Sequence, residues 1–171
     1  MNVPPITVSM PIHDDAPASS FYTRKNRLCT YDYTLVKKLT HFSKVAAPGE
    51  RSFVNPWLRI VPIGPDSYFY GLGFRSYIEV AIGYSWDGAT GVPDVPGCIL
   101  ASGLHDPIYQ FSEELRSVWF CREQDIIDFA NKVFDERMLE DDCKVSTLYY
   151  TGVCIFGLKF HLIARWFHSH F

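Results

Sequence analysis

Four side chains that could form one acid–base cluster lie within 23 positions, in the stretch "WDGATGVPDVPGCILASGLHDPIY" that spans residues 86–109. They are Asp87, His105, Asp106 and Tyr109. On a helix, His105 and Tyr109 share a face because they are four residues apart, whereas Asp106 is rotated by about 100° from His105. An imidazole is suited to proton transfer near neutral pH, and a carboxylate beside it can hold a cation. The spacing therefore predicts one cluster.

The partner of His105 decides whether this cluster is catalytic or structural. A catalytic imidazole needs a second group that holds its tautomer, and Asp128 or Asn131 on the next predicted helix can supply that group. In the structural interpretation, Asp87 closes an Asp-Gly turn and His105 is a hydrogen-bonded core histidine. Both interpretations stay open here, with Asp106 as the metal ligand if a metal binds.

Pro107 affects any helix that contains His105. Proline has no N–H, and its ring meets the carbonyl group four residues back, which belongs to Gly103. Either the helix kinks between Gly103 and Pro107, or a new helix begins with Asp106 as its N-cap and Pro107 at its first position. In the second case Asp106 accepts backbone N–H bonds and has a structural role.

The first half of the chain carries the signals of β-structure. The runs "WLRIVPI", "SYFYGLGF" and "SYIEVAIGYSW" are rich in aromatic and β-branched residues and are separated by turn residues. Apolar and other residues alternate over residues 77–84, as in a half-buried strand. The earlier run "YDYTLVKKLTHFSKV" can form a strand followed by a basic turn, and "APGE" ends it.

The second half carries the signals of helices. After "PDVPG" the apolar period changes from 2 to 3.6, and "REQDIIDFANKVFDERMLEDD" has one apolar stripe with acidic residues near its start. A further helix is expected over about residues 146–167. Because strands precede helices, we expect an α+β fold, a small antiparallel sheet from the N-terminal half packed with about three C-terminal helices.

Length and composition predict a single domain. Residues 21–171 are enough for one core, and residues 1–20, with four prolines, are expected to form an extended arm. The net charge of −3 gives no reason to expect nucleic acid binding. The five cysteines include no C-x-x-C pair, which favours reduced thiols over a zinc site or disulfide framework. The N-terminal residues do not resemble a secretory signal.

The C-terminal segment contains an uncharged run at residues 145–158. This run is shorter than the roughly 20 residues of an ordinary transmembrane helix, so a buried helix is favoured. The residues that follow it include Lys159, Arg165 and Trp166, which leaves an interfacial helix on a membrane as the less favoured alternative.

Four motifs together resemble an uncharacterised protein family of tailed bacteriophages and prophages. They are "YSWDGATG", "ASGLHDPIYQF", "DFANKVFDERMLEDD" and "TGVCIFG", and the resemblance covers about residues 75–160. The family usually has an aspartate at the position of Asn131, a leucine at Ile108 and no proline at Pro107. The resemblance implies a phage origin and a place in the virion or host cytoplasm, but it implies no reaction.

A shorter resemblance concerns the secreted calcium-dependent phospholipases, whose active helix carries H-D-x-x-Y as His105, Asp106 and Tyr109 do here. It implies that the histidine activates water, the aspartate binds calcium and the tyrosine orients a distal aspartate. The glycine-rich calcium loop and the disulfides of those enzymes are missing. No other cofactor is expected, and calcium is expected only if the chain is a hydrolase.

Three functions follow from these observations. The favoured one is a phage virion or assembly protein that contacts other virion proteins or forms a homo-oligomer. The excess of aromatic residues, 16% of the chain, suits a protein that presents contact surfaces. The alternatives are a small metal-assisted hydrolase that uses the H-D-x-x-Y helix and a phage protein that binds a host component. An enzyme is the less favoured interpretation.

Overall fold

The computed structural model describes residues 21–24, 33–88, 95–144 and 146–152. Within these ranges, seven strands form two antiparallel sheets. One sheet has the order β1-β2-β7, with β1 at Tyr22–Arg24, β2 at Tyr33–Leu35 and β7 at Ser85–Trp86. The other has the order β3-β6-β5-β4, with β3 at Leu39–Ser43, β4 at Phe53–Val54, β5 at Leu58–Pro62 and β6 at Ser76–Val80.

The helices are α1 at Tyr68–Gly71, α2 at Pro96–Gln110, α3 at Ser112–Trp119 and α4 at Glu123–Glu140. Residues 146–152 are also helical, which is where the last helix was expected to begin, and residues 153–167 of that prediction lie outside the described residues. Antiparallel sheets in the first half and helices in the second confirm the predicted α+β fold. The predicted arm, residues 1–20, lies outside the described part of the chain.

The strands divide into two sheets because the run "SYIEVAIGYSW" contains a turn. β6 ends at Val80, and Gly83 then adopts a φ of +88°, which is favourable only for glycine. The chain turns there, and β7 pairs with β2 rather than with β5 or β3. Ile82, on the apolar side of the predicted alternation, is therefore exposed at the turn instead of buried.

The predicted strand "SYFYGLGF" is wrong, because this run forms the short helix α1. The Ser67 side chain accepts a hydrogen bond from the Phe69 backbone N–H at 3.2 Å and caps the helix. Gly73, with a φ of +89°, follows the helix end. The cap and the glycine determine the local structure here, although aromatic residues are common in strands. The earlier run "YDYTLVKKLTHFSKV" contains two strands, β2 and β3, with the basic residues between them.

The core lies between the four-stranded sheet and helices α2 and α4. The sheet contributes the alternating residues of β5 and β6, and the helices contribute their apolar stripes. Buried members of this core include Leu58, Ile60, Ile78, Val80, Leu104, Ile108, Ile126, Ala130 and Val133. The second sheet adds Trp86, which is buried and whose Nε1–H donates to the Ser102 hydroxyl of α2 at 2.9 Å.

Helix α2 continues through Pro107, so of the two outcomes left open, a new helix with Asp106 as its N-cap does not occur. The Pro107 carbonyl accepts a hydrogen bond from the Phe111 backbone N–H at 3.0 Å, and the helix ends only there. Gly103, four residues before Pro107, packs against Trp86. A Cβ atom at position 103 would lie 3.1 Å from that ring. The Asp106 side chain is therefore available for contacts other than a helix cap.

Cys98, Cys121 and Cys143 form no disulfide bond within the described residues, although the Sγ atoms of Cys98 and Cys143 lie 3.0 Å apart. Cys29 and Cys154 lie outside the described residues. Among the helices of the described ranges, none has both the length and the apolar character needed to cross a membrane.

Candidate functional site

The site predicted around His105 is built by the packing of α2 on α4. The α2 helix begins at Pro96, at a position where its missing N–H has no cost, and presents His105, Asp106 and Tyr109. At the start of the α4 helix, the backbone N–H and the guanidinium of Arg122 donate hydrogen bonds to the Asp125 carboxylate. Further along, the helix presents Asn131. These two helices make the most extensive contact between elements of the fold.

His105 has a polar partner at each ring nitrogen. Its Nε2 lies 3.1 Å from the side-chain oxygen of Asn131, and its Nδ1 lies 3.1 Å from Oδ1 of Asp106. The Tyr109 hydroxyl donates to the same Asn131 oxygen at 2.9 Å. The Tyr109 ring packs against the imidazole, with 4.3 Å between the ring centres, and Phe134 packs against the imidazole as well. The structure thus brings together three of the four predicted residues and one of the two proposed partners.

These contacts determine where the protons lie. The Asn131 oxygen only accepts hydrogen bonds, so Nε2 of His105 carries a proton and donates it. The contact between Nδ1 and Asp106 then needs one further proton, which either group can carry. His105 and Asp106 therefore act as a unit that shares one proton, and the amide of Asn131 holds the ring in place.

Burial raises the pKa of the Asp106 carboxyl group above its ordinary value of 3.8. The hydrogen bond and the charge of His105 act in the opposite direction, and the negative charge of Asp87 adds a smaller upward contribution. The side chain of Asp106 is 26% exposed, so the protein covers most but not all of it. The protonated form of Asp106 is therefore favoured more than that of an aspartate in water.

Asp87 and Asp128 occupy more exposed positions than His105. Asp87 follows β7 and is close enough to Asp106 for the two charges to repel each other. Asp128 is exposed on α4, where its carboxylate accepts a hydrogen bond from Gln124 at 2.7 Å. Because residues 89–94 lie outside the described part, the loop that connects Asp87 to α2 is not described further.

A second histidine cluster, which the sequence analysis did not predict, lies between β3 and α4. His41 Nε2 is 3.2 Å from Oε2 of Glu136, and His41 Nδ1 is 3.5 Å from Oε2 of Glu140. The Ser43 hydroxyl and the Lys44 backbone N–H also donate to the Glu136 carboxylate. One nitrogen of His41 and one oxygen of each glutamate lie within 4.8 Å of one another, a set that can hold a metal ion.

Glu136 differs from Asp106 in the direction of its pKa. Burial by itself would raise the pKa of Glu136, but the hydrogen bonds from His41, Ser43 and the Lys44 backbone outweigh burial and hold this pKa below 4.5. A sequence signal for this cluster exists. His41 shares a strand face with the apolar Leu39, and Glu136 and Glu140 are four apart on a helix. Nothing in that pattern indicates that the strand meets this part of the helix.

A cleft of about 290 Å³ opens beside the first half of α4. It is lined by Val45, Ala46, Pro48, Asp125, Asp128, Phe129 and Lys132. None of the residues that surround His105 in the cluster above contributes to this cleft.

Comparisons of this chain with models of known protein families, with curated proteins and with solved structures found no match.

Proposed function

We propose that this chain is a bacteriophage virion or assembly protein that acts through protein–protein contacts, and that the His105 cluster stabilises its fold. The phage assignment rests on the resemblance of the motifs in residues 75–160 to the phage family. The observation that carries the contact function is an exposed apolar corner where the two sheets meet.

This corner, the Trp57 patch, consists of Val36, Trp57 and Ile82. Their exposed fractions range from 42% to 61%. Two backbone hydrogen bonds hold the three chain segments together. The Ala81 N–H donates to the Trp57 carbonyl at 2.9 Å, and the Gly83 N–H donates to the Leu35 carbonyl at 2.8 Å. Three large apolar side chains are thus adjacent on the surface, and such a group is typical of a contact site rather than of scattered surface residues.

The assignment of the His105 cluster to stability rests on how its groups are used. His105 is buried, and both ring nitrogens face partners within the protein. Because Asp106 occupies Nδ1 and Asn131 occupies Nε2, neither nitrogen is directed at a substrate or at a water molecule that it could deprotonate. A buried polar network of this kind joins two helices and is costly to disrupt.

The test of the proposed function is copurification with mature particles. Particles of the phage or prophage whose genome encodes the chain are purified on a density gradient, and the chain is quantified by mass spectrometry. We expect it in the particles or in their assembly intermediates. Ile82→Asp should reduce incorporation by about tenfold or more, because it places a charge in the apolar contact.

A matched control separates contact from folding. Leu148→Asp places the same charge at a different exposed aliphatic side chain, in the helical residues 146–152, and should leave incorporation unchanged. Both variants should keep the melting temperature of the parent. Absence of the chain from particles and from every intermediate would contradict the proposed function, and equal loss with both variants would contradict the role of the Trp57 patch.

A metal-assisted hydrolase is the second candidate, and one observation favours it. Tyr109 donates a hydrogen bond to Asn131, and Asn131 also faces His105. The phospholipase resemblance implies a similar arrangement, in which the tyrosine orients a distal acid that acts with the histidine. Thermal unfolding of His105→Ala with and without calcium tests it. A variant as stable as the parent, together with a parent that gains several degrees with calcium, would support the hydrolase. A destabilised variant and no calcium effect would support the structural role.

A further inference from the structure

We propose that His41, Glu136 and Glu140 bind one divalent transition-metal ion of the Zn²⁺ type and so join β3 to the C-terminal end of α4. This site is separate from the His105 cluster and from the Trp57 patch. It does not depend on the proposed function.

The donor set fits such an ion. Zn²⁺ is bound by imidazole nitrogen and carboxylate oxygen at about 2.0–2.2 Å, so two ligands of a tetrahedral ion lie about 3.3 Å apart. The distance between His41 Nε2 and Glu136 Oε2 is 3.2 Å. The largest separation within the set is at most 4.8 Å, and Glu140 is the more exposed of the two glutamates. Three protein ligands leave a fourth position for water.

The positions of the two glutamates explain how an ion can enter and be held. Glu136 is fixed by the Ser43 hydroxyl and by the Lys44 backbone N–H, at 2.8 Å from the latter. Glu140 lies one turn further along α4, and its side chain is 37% exposed, whereas that of His41 is only 2% exposed. An ion therefore reaches the buried imidazole from the Glu140 side, and rotation of the exposed Glu140 side chain closes the set around it.

The hydrogen bonding of His41 also favours a cation. A neutral imidazole has one N–H, but both nitrogens of His41 face carboxylate oxygens, at 3.2 Å and 3.5 Å. One of these contacts places a lone pair against an anionic oxygen unless a proton or a metal ion lies between them. A metal ion on one nitrogen removes this conflict, because the single proton of the imidazole then lies on the other nitrogen.

The local charge points in the same direction. Among the ion pairs of the described residues, Arg137 is the cation nearest to the pair of glutamates, and it lies 3.8 Å from Glu140. It is closer to Asp141, at 2.9 Å. The carboxylates of Glu136, Glu140 and Asp141 thus lie around one guanidinium, and a divalent ion reduces this local excess of negative charge.

The experiment titrates the metal-free, tag-free full chain with Zn²⁺ by calorimetry and with Co²⁺ by visible absorption. We expect one equivalent to bind with a dissociation constant in the micromolar range and a Co²⁺ spectrum typical of low coordination number. Glu140→Gln should weaken binding by about tenfold or more, because an exposed ligand is lost while Glu136 keeps its hydrogen bonds.

Two matched variants assign the site. Glu50→Gln removes another exposed carboxylate and should leave the affinity unchanged. Asp106→Asn removes the acid beside His105 and should also leave it unchanged. The proposal is overturned if no saturable binding occurs, if Glu140→Gln binds as tightly as the parent, or if Asp106→Asn is the variant that loses the metal. That last result would instead support the hydrolase candidate.

Discussion

The two histidine clusters contact the same helix, but they present different charges to the imidazole. His105 faces one carboxyl group and one amide, those of Asp106 and Asn131. His41 faces two carboxylates, those of Glu136 and Glu140. The pKa of Asp106 is raised, and that of Glu136 is lowered.

The contrast teaches that donors, rather than burial alone, set the ionisation of an acid beside a histidine. Burial raises the pKa of both acids. Glu136 has a hydroxyl and a backbone N–H as additional donors, and these outweigh burial. For Asp106, the contributions that the structure describes include only one hydrogen-bond donor, His105, and burial prevails. The first cluster is therefore suited to share a proton, and the second to hold a cation.

The largest effect is expected from Glu136→Ala, which breaks the second cluster. The change removes the acceptor for His41, Ser43 and the Lys44 backbone and leaves buried polar groups without partners. We expect a loss of about 3 kcal/mol in the free energy of unfolding, measured with urea. Glu136→Gln keeps the shape and one acceptor and should lose less. Equal losses for the two variants would show that the shape and the single acceptor kept by Gln contribute no stability, contrary to this expectation.

The corresponding change in the first cluster is His105→Ala, with an expected loss of about 1–3 kcal/mol. The side chain packs between Tyr109 and Phe134, and its removal leaves Asn131 and Asp106 without a shared partner. Urea unfolding measures the loss. Tyr109→Phe removes a single hydrogen bond to Asn131 and should lose about 1 kcal/mol. A stable His105→Ala protein would contradict the structural role of this cluster.

Asn131→Asp converts the first cluster into the type of the second, because the imidazole then faces an acid at each nitrogen. The folded variant needs one more proton than the parent to balance the added charge, whereas its unfolded chain does not. Stability therefore falls as the pH rises, by at most about 1.4 kcal/mol per pH unit. Urea unfolding between pH 6 and 8, about the range where histidine titrates, compares variant and parent. Parallel pH profiles would show that Asn131 and His105 are not coupled.

The smallest expected effect is a pair of pH dependences of opposite sign. The folded-state pKa of Glu136 is lowered, so its stabilising contribution is present above pH 4.5 and is lost as the pH falls through the folded value. The pKa of Asp106 is raised, so its contribution is present below pH 3.8 and is lost as the pH rises through the folded value. The melting temperature is measured as a function of pH. Glu136→Gln should reduce its dependence on pH on the acid side, whereas Asp106→Asn should reduce its dependence on pH on the side towards neutral pH. Slopes of the same sign would contradict the contrast between the clusters.

Local patterns in the sequence predicted several elements correctly. The apolar stripe at residues 126–138 predicted α4, and the four-residue spacing of His105 and Tyr109 placed both rings on one face. The runs around residues 58–62 and 76–80 predicted β5 and β6. These features depend on contacts between residues a few positions apart, and the periodicity of a helix or a strand determines such contacts.

The prediction failed where two local signals competed or where a turn changed the sheet. Aromatic residues favoured a strand at residues 68–71, but the Ser67 cap produced α1. The division into two sheets depends on the turn at Gly83. A single glycine within an alternating run does not by itself predict a turn. For Pro107, the sequence left open whether the helix kinks or a new helix begins. In the structure α2 is continuous through Pro107, and it packs on α4 and Trp86.

The sequence by itself determined which residues share a face of a strand or helix, and the tertiary structure decided which of those faces meet. The sequence predicted either Asp128 or Asn131 as the partner of His105. The orientation of α4 against α2 places the Asn131 amide, not Asp128, beside the imidazole. His41 and Glu136 are 95 positions apart, and only the packing of β3 on α4 brings them together. Local spacing follows from backbone geometry, whereas the register between two packed elements depends on how the whole core fills its space.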